Sequence, residues 1–231
     1  MQSNLEIPDT LGASAEPLRA LLTRPPDVEA LLVFAHGAGA GMKHAFMERI
    51  AVTLAHLGVA TLRYEFPYLT AGRRSPDPPK RLVEVVRRAV EFAKDEYSDL
   101  PLFAGGKSLG CRMTSTAVSQ GLTGVKGLVF FGFPLHAPGR DGSERARHLA
   151  DVPAPMLFLQ GTRDKLAEIG RMRVLVDELR GVDRAGRADI SLFEVDEADH
   201  SFHVPRRTGL TDADVFASLA TTAAAWIRDR V

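Results

Sequence analysis

The amino-acid sequence predicts an α/β protein with a mostly parallel central sheet and helices on both faces. Two observations predict this class. Short apolar runs rich in Val, Leu and Phe alternate with longer segments of helical periodicity along the 231 residues, a pattern typical of strand–helix–strand units. Most of the runs are apolar at every position, as expected for strands that are covered on both faces. No repeat or low-complexity linker divides the chain, so we expect residues 1–231 to form one domain.

The apolar runs predict six strands in the interior of the sheet. They are Ala30–Ala35, Thr61–Phe66, Leu102–Gly105, Gly127–Phe131, Met156–Gln160 and Ser191–Val195. An earlier segment, Glu16–Arg24, predicts one more strand at the edge of the sheet, closed by the Pro25-Pro26 pair. Residues 1–14 hold no apolar core, and we expect them to be poorly ordered.

The helices are predicted from apolar stripes at helical spacing. Met42–Leu57 has apolar residues every four positions, and Lys80–Glu96 has an apolar stripe opposite a charged face. Leu166–Leu179 repeats the pattern. The last helix is predicted to begin at Thr211, because Asp214 follows at the spacing of a capping box.

The composition excludes several classes of protein. Basic and acidic side chains number 29 each, so the formal charge is zero and no net field attracts nucleic acid or anionic lipid. Cys111 is the one cysteine, which excludes an internal disulfide and fits a reducing compartment. Met1–Glu16 lacks the apolar core of a signal peptide, and Gly127–Leu135 is far short of the roughly 20 residues that span a membrane. A soluble cytoplasmic protein without nucleic-acid or membrane partners is expected.

One segment matches the pattern of a serine on a tight turn between a strand and a helix. Gly106-Lys107-Ser108-Leu109-Gly110 reads G-x-S-x-G, follows the run Pro101–Ala104 and precedes a predicted helix, Leu109–Gln120. Glycines are needed there because side chains would collide with the neighbouring strand and helix. The turn directs the hydroxyl of Ser108 to the open edge of the sheet, so Ser108 is a candidate nucleophile. The alternative is that Ser108 caps the following helix.

Two phosphate-binding motifs come close to matching but fail. A P-loop would need glycine where this chain has Pro101. A dinucleotide fingerprint in the glycine-rich segment His36–Met42 would need its third glycine at Met42 or His44. We interpret His36–Met42 as a flexible loop that offers backbone N–H groups to an oxyanion, with His36 as its support.

Candidates for the partners of a serine nucleophile follow two later strands. Asp164 comes after Met156–Gln160, and His200 comes after Ser191–Val195. Both are therefore expected at the sheet edge that carries Ser108, as an acid and then a base in order along the chain.

Each of these candidates has an alternative. Asp164 also suits a helix cap or a solvent-exposed pair with Arg163. Asp196 and Asp199 are rival acids, but they are so near His200 in sequence that contact with its far nitrogen would strain the loop. His203 is the rival base. A metal site at His200 and His203 would lack a third nearby ligand, so no metal is expected.

Aromatic residues that follow strands at this edge are candidates for an apolar acyl pocket, the alternative being that they close the core. The candidates are Phe66, Tyr68, Phe133, His136 and Phe202. Arg73 and Arg74 are candidates to bind a carboxylate of the substrate, the alternative being that they are simply solvated on an exposed loop. Lys107 is interpreted as solvated or salt-bridged, and Cys111 as a small helix residue behind the serine turn.

These motifs resemble those of small lidless α/β-hydrolases of the dienelactone-hydrolase-like branch. The resemblance covers residues 36 to 202 and implies a three-layer α/β-hydrolase fold without a cofactor. It further implies Ser108 as nucleophile, Asp164 as acid, His200 as base, and the amides of Ala38 and Leu109 as an oxyanion hole. Dienelactone hydrolases proper carry cysteine where this chain has Ser108, so the resemblance does not imply dienelactone cleavage.

The sequence thus predicts a serine hydrolase that cleaves a small to medium carboxylic ester or thioester through an acyl-enzyme. No inserted helical lid fits between Phe133 and Pro155, so interfacial lipids are not expected substrates. Two alternatives stay open. One is a hydrolase-fold binding protein that has lost activity. The other is an acyltransferase or lyase that uses the same three residues.

Overall fold

Eight strands form one sheet in the computed structural model of the protein, which describes residues 1–8, 16–181 and 189–231. The order across the sheet is β1-β2-β4-β3-β5-β6-β7-β8. All pairings among β3 to β8 are parallel, whereas β1 with β2 and β2 with β4 are antiparallel. The strands are β1 (Gln2–Ile7), β2 (Leu18–Thr23), β3 (Ala30–Ala35), β4 (Val59–Tyr64), β5 (Leu102–Lys107), β6 (Leu128–Phe131), β7 (Met156–Gly161) and β8 (Ile190–Val195).

Helices cover both faces of this sheet. Those of the described residues are α1 (Ala45–His56), α2 (Pro67–Thr70), α3 (Pro79–Glu96), α4 (Leu109–Ser119), α5 (Ile169–Gly181) and α6 (Asp212–Arg228), with 3-10 segments at Glu144–Asp151 and Arg206–Thr208. The apolar faces of α3, α4 and α5 pack in one buried cluster, and those of α1 and α6 pack in a second. Three layers result, and the predicted fold class is confirmed.

The predicted strands agree with the observed strands to within two residues at each end. The first main helix differs more, because it begins at Ala45 rather than at Met42. His44 has extended, non-helical backbone angles, and its side chain accepts a hydrogen bond from the amide of Phe46, which caps the helix at this point. The loop before α1 is therefore longer than the apolar pattern indicates.

The N-terminal segment differs from the sequence prediction. Gln2–Ile7 is an edge strand paired with β2, although residues 1–14 were expected to be poorly ordered; residues 9–14 lie outside the described part. Ile7 is buried, and the buried guanidinium of Arg63 donates hydrogen bonds to Gln2 and Thr23. Backbone pairing and one buried arginine thus support a strand whose own side chains are mostly polar and exposed.

Candidate active site

Ser108 lies on a strained turn between β5 and α4. Its φ and ψ are 52° and −107°, and a positive φ in a residue other than glycine is retained only where the surroundings impose it. A Cβ on Gly106 would lie 2.6 Å from the carbonyl oxygen of Ala35, and one on Gly110 would lie 2.4 Å from the same atom. These contacts explain the two glycines of the motif. Ser108 makes no side-chain cap to α4, so the helix-cap alternative is not what the structure shows.

His200 connects Ser108 to Asp164 through hydrogen bonds. Its Nε2 lies 2.8 Å from Ser108 Oγ, and its Nδ1 lies 2.7 Å from Asp164 Oδ2. Because the Asp164 carboxylate accepts, Nδ1 carries the proton and Nε2 is free to accept from the serine hydroxyl. The three residues follow β5, β7 and β8, whose parallel pairing brings their carboxyl ends to one edge of the sheet.

Asp164 is held by more partners than the sequence indicates. Its side chain is fully buried, and Oδ2 also accepts a hydrogen bond of 2.6 Å from Gln160 Nε2. Oδ1 accepts from the amide of Leu166 at 2.8 Å, so Asp164 serves the local turn and His200 together. Gln160 in turn accepts from the amide of Phe133 through Oε1. Gln160 was missed as a site residue; a buried glutamine at the end of an apolar strand was the available signal.

The turn that carries His200 is built around Asp199. Asp199 Oδ1 accepts hydrogen bonds from the amides of Ser201 and His203, at 2.8 and 3.0 Å. Phe202 closes this turn with a φ of 64° and a fully buried ring. The carboxylate of Asp199 is thus committed to the backbone of the turn.

His203 points away from Ser108 and is largely exposed. Its Nδ1 lies 3.0 Å from the carboxylate of Asp212 at the start of α6. This hydrogen bond raises the pKa of His203 and lowers the pKa of Asp212. Asp196, the other rival acid, accepts from Thr162 instead. None of the rival residues enters the chain of hydrogen bonds from Ser108.

The glycine-rich loop after β3 lies directly beside Ser108. A Cβ on Gly37 would be 3.7 Å from the Cβ of Ser108. His36 is fully buried beneath the loop, where Nδ1 donates to the carbonyl of Gly37 and Nε2 accepts from the amide of Phe66. In the described part of the chain, the amides of Ala38 and Leu109 have no acceptor.

Two further side chains hold this loop. The carboxylate of Glu65 accepts from the amide of Met42 at 3.2 Å and lies 3.0 Å from His36 Nε2. The hydroxyl of Tyr68 accepts from the amide of Gly39 at 3.1 Å, and burial raises the pKa of Tyr68. Both residues come just after β4, so this neighbouring strand shapes the loop beside Ser108.

The aromatic residues predicted as an acyl pocket are buried. Phe66, Tyr68, Phe133 and Phe202 are all fully buried, and His136 is 5% exposed. The rings of the four residues other than His136 pack edge-on or stacked against other aromatic side chains of the core. This burial favours the alternative in which these residues close the core.

A cleft with several charged lining residues lies on the His200 side of the site. The cleft, of about 370 Å³, borders His200, and its lining residues are Arg163, Lys165, Glu197, Asp199, His203 and Pro205. Elsewhere, Arg73 pairs with Asp77 at 2.6 Å.

Cys111 lies behind Ser108 with its thiol donating to the carbonyl of Gly106, and burial raises the pKa of this thiol to about 12. A thiol with that pKa stays protonated at neutral pH and is a poor nucleophile.

Among residues 1–8, 16–181 and 189–231, no group of three or more His, Cys, Asp or Glu side chains is arranged to hold a metal ion. Within the same ranges, every helix is too short or too polar to cross a membrane.

A mostly parallel sheet whose serine turn meets a histidine and an acid from later strands is the architecture of the α/β hydrolases. The chain belongs to this family, since the family model described as an alpha/beta hydrolase domain matches residues 28–228. The resemblance expected from the sequence motifs is thereby confirmed.

Solved structures share the fold at low sequence identity. A dienelactone hydrolase from Anabaena variabilis is 18% identical, with a TM-score of 0.75 over 100% of this chain and 98% of its own. An α/β serine hydrolase without a lid from Xanthomonas campestris is 18% identical, with a TM-score of 0.72 over 97% and 94%. A thermostable carboxyl esterase from Bacillus coagulans is 12% identical, with a TM-score of 0.74 over 99% and 98%.

Proposed function

We propose that this protein is a serine hydrolase that cleaves a small to medium carboxylic ester or thioester through an acyl-enzyme. The observation that carries the proposal is the continuous hydrogen-bonded chain from Ser108 through His200 to Asp164. A serine hydroxyl is barely ionised at neutral pH, and this chain supplies the base that it needs. The solved structures of similar fold that are named esterases support the same reaction class.

The mechanism follows from the protonation states that the hydrogen bonds require. Ser108 Oγ attacks the substrate carbonyl while His200 Nε2 takes its proton, and the carboxylate of Asp164 stabilises the imidazolium. His200 then gives the proton to the departing alcohol or thiol as the bond to the leaving group breaks. Water attacks the acyl-serine with His200 again as base, which releases the acid and restores the Ser108 hydroxyl.

The oxyanion of each tetrahedral intermediate needs hydrogen-bond donors that point at its oxygen atom. The free amides of Ala38 and Leu109 suit this role, because Ala38 follows Gly37 beside Ser108 and Leu109 is the first residue of α4. Each such donor is typically worth about 3 kcal/mol of transition-state stabilisation.

The substrate that suits this site is a small acyl compound in free solution. The cleft beside His200 is lined in part by the charged residues Arg163, Lys165 and Glu197, which do not favour long alkyl chains. No cofactor takes part in the reaction that we propose. We expect the protein to act in the cytoplasm, where a free thiol such as that of Cys111 stays reduced.

A fluorophosphonate probe tests the nucleophile directly. We expect wild-type protein to be labelled on Ser108 and the Ser108→Ala variant to resist labelling. Ser201→Ala is the matched control, since Ser201 is exposed beside His200 and its hydroxyl has no part in the mechanism. Wild-type protein that stays unlabelled, or labelling that survives in Ser108→Ala, would overturn the proposal.

A panel of p-nitrophenyl esters and acyl-thioesters of increasing chain length then defines the substrate. We expect turnover of short and medium acyl groups and its loss in Ser108→Ala. Adding alcohol or amine acceptors separates hydrolysis from acyl transfer, because a transferase would give acceptor-dependent products. Labelling without turnover of any member would favour the binding-protein alternative.

A further inference from the structure

Lys107, the residue before Ser108, turns its side chain across to the loop that carries His200. Its ammonium donates a hydrogen bond of 2.6 Å to the backbone carbonyl of His200. Among the described residues, no other donor reaches this carbonyl. Lys107 is thus neither simply solvated nor salt-bridged, as the sequence suggested. Its hydrogen bond joins the turn that carries Ser108 to the turn that carries His200.

The surroundings of the Lys107 ammonium are aromatic and closely packed. Nζ lies 5.1 Å from the ring centre of Phe202 and 5.7 Å from that of Phe46, within the range of cation–π attraction. A Cβ on Gly132 would lie only 2.8 Å from Nζ. Gly132 therefore leaves the space that the ammonium occupies, and a larger residue there would displace it.

Two carboxylates face the ammonium of Lys107. Burial lowers the pKa of Lys107 to about 8, although Asp164 after β7 and Asp199 after β8 act to raise it. The thiol of Cys111 on α4 lies near the ammonium as well, but it is uncharged at neutral pH. The carbonyl that the ammonium holds belongs to His200 itself, so this bond acts on the main chain of the candidate base.

We propose that Lys107 is a positioning residue of the hydrolase, whose ammonium holds the main chain of His200 in register with Ser108. The two turns that it joins, at Ser108 and at Phe202, both contain a residue other than glycine with positive φ. Such turns relax unless neighbouring contacts hold them. A shift of about 1 Å between base and nucleophile costs up to about 100-fold in rate. This inference rests on the proposed serine chemistry.

Lys107→Met tests the inference, because methionine keeps much of the stem and loses the donor and the charge. We expect kcat and the rate of fluorophosphonate labelling to fall about 10- to 100-fold, with KM nearly unchanged. Lys126→Met is the matched control, since Lys126 is exposed at the opposite end of the sheet, just before β6. Lys107→Gln supplies the same comparison if the Met variant does not fold, because its shorter amide does not reach the His200 carbonyl.

The pH profile separates positioning from a general loss of stability. In wild-type protein we expect the rate to fall as pH rises through about 8, where the ammonium loses its proton and its hydrogen bond to the His200 carbonyl weakens. That alkaline limb should be absent from the variant.

A proton NMR signal gives a readout that needs no substrate. The Nδ1–H of His200, bonded to Asp164, should give a low-field resonance in wild-type protein that broadens or shifts in Lys107→Met. A variant with the kcat, pH profile and resonance of wild type would overturn the inference while leaving the proposed function intact. Failure of wild-type protein to label or turn over would instead overturn both.

Discussion

Ser108 and Phe202 are residues other than glycine with positive φ, and each lies on a turn of the candidate site. Backbone strain of this kind costs on the order of 1–3 kcal/mol and is retained where surrounding contacts hold it. At Ser108 the contacts are the close approaches of Gly106 and Gly110 to β3, and at Phe202 they are the hydrogen bonds of Asp199. Single residues thus carry the geometry of the site as well as its chemistry.

Gly110→Ala should damage stability and activity together. The new Cβ would lie 2.4 Å from the backbone oxygen of Ala35, which cannot move without disturbing β3. We expect a loss of about 1–3 kcal/mol in the free energy of unfolding, measured by urea denaturation, with slower ester hydrolysis. Gly170→Ala is the control: a Cβ there meets no atom within 4 Å, and in a helix alanine is favoured over glycine by up to about 1 kcal/mol. Equal stability of the two variants would contradict this account.

Asp164→Asn should abolish most turnover and leave the fold intact. An amide in place of the carboxylate no longer fixes the proton on His200 Nδ1, so Nε2 ceases to be the acceptor for Ser108. A loss of about 10,000-fold in kcat is typical of this change. Asp196→Asn, at the exposed rival acid, should keep wild-type kcat. Similar losses in both variants would refute the assignment of the acid.

At the scale of secondary structure, the loop after β8 is joined to α6 by an exposed pair. The carboxylate of Asp212 in the first turn of α6 accepts from His203 and from the amide of Val204. An acidic residue there also interacts favourably with the helix dipole. The pair therefore holds the end of the His200 loop against the beginning of the last helix.

This pair should make stability depend on pH. The pKa of His203 is raised from its ordinary value near 6.5, so its contribution is present below that value and is lost as pH rises through the folded-state pKa. The pKa of Asp212 is lowered from 3.8, so its contribution is lost as pH falls through its folded-state pKa. His203→Gln should therefore lower Tm most between about pH 4 and 6.5, and the effect should disappear as pH rises through the raised pKa of His203.

A double-mutant cycle with Asp212→Asn isolates this interaction. The effect of His203→Gln on Tm should vanish in the Asp212→Asn background. An effect that persists there, or that is largest above pH 8, would show that the pair does not supply the pH dependence. The kcat of His203→Gln should match wild type, because His203 lies outside the hydrogen-bonded chain.

At the scale of the whole molecule, the long connection from β6 to β7 at the edge of the sheet that carries Ser108 contains little helix. Between β6 and β7 the chain forms only an eight-residue 3-10 segment, Glu144–Asp151, which packs on α4 through Ala146 and Leu149. Ser108 itself is partly exposed. We therefore expect substrate to reach Ser108 without the opening of a lid.

The absence of a lid in this part of the chain predicts ordinary saturation kinetics. Hydrolysis of a short-chain triglyceride should follow a single hyperbola as its concentration passes the solubility limit. A sharp rise in specific activity at that limit would reveal interfacial activation and contradict this prediction. A water-soluble p-nitrophenyl ester, measured in parallel, controls for the effect of the emulsion on the protein.

The parts of the fold that follow from local pattern were predictable from the sequence. Continuous apolar runs identify the buried strands, and Thr211 with Asp214 identifies the start of α6, where both hydrogen bonds of the capping box form. The strand β1 was not predictable, since its side chains are mostly polar and it forms by backbone pairing with β2, which no local pattern records. The aromatic residues proposed for a pocket lie in the core, because sequence cannot distinguish a ring beside a cleft from one below it.

Residue type, chain order and strand pattern were enough to predict that Ser108, Asp164 and His200 lie close together, because parallel strands bring their carboxyl ends to one edge. The roles of Gln160, Glu65 and Lys107 depended on the tertiary structure. Each of these residues acts through a hydrogen bond to a residue on another strand or loop, and no local pattern records such a partner. Lys107 and His200 are 93 residues apart in the sequence. Only the folding of the sheet brings the Lys107 ammonium within 2.6 Å of the His200 carbonyl.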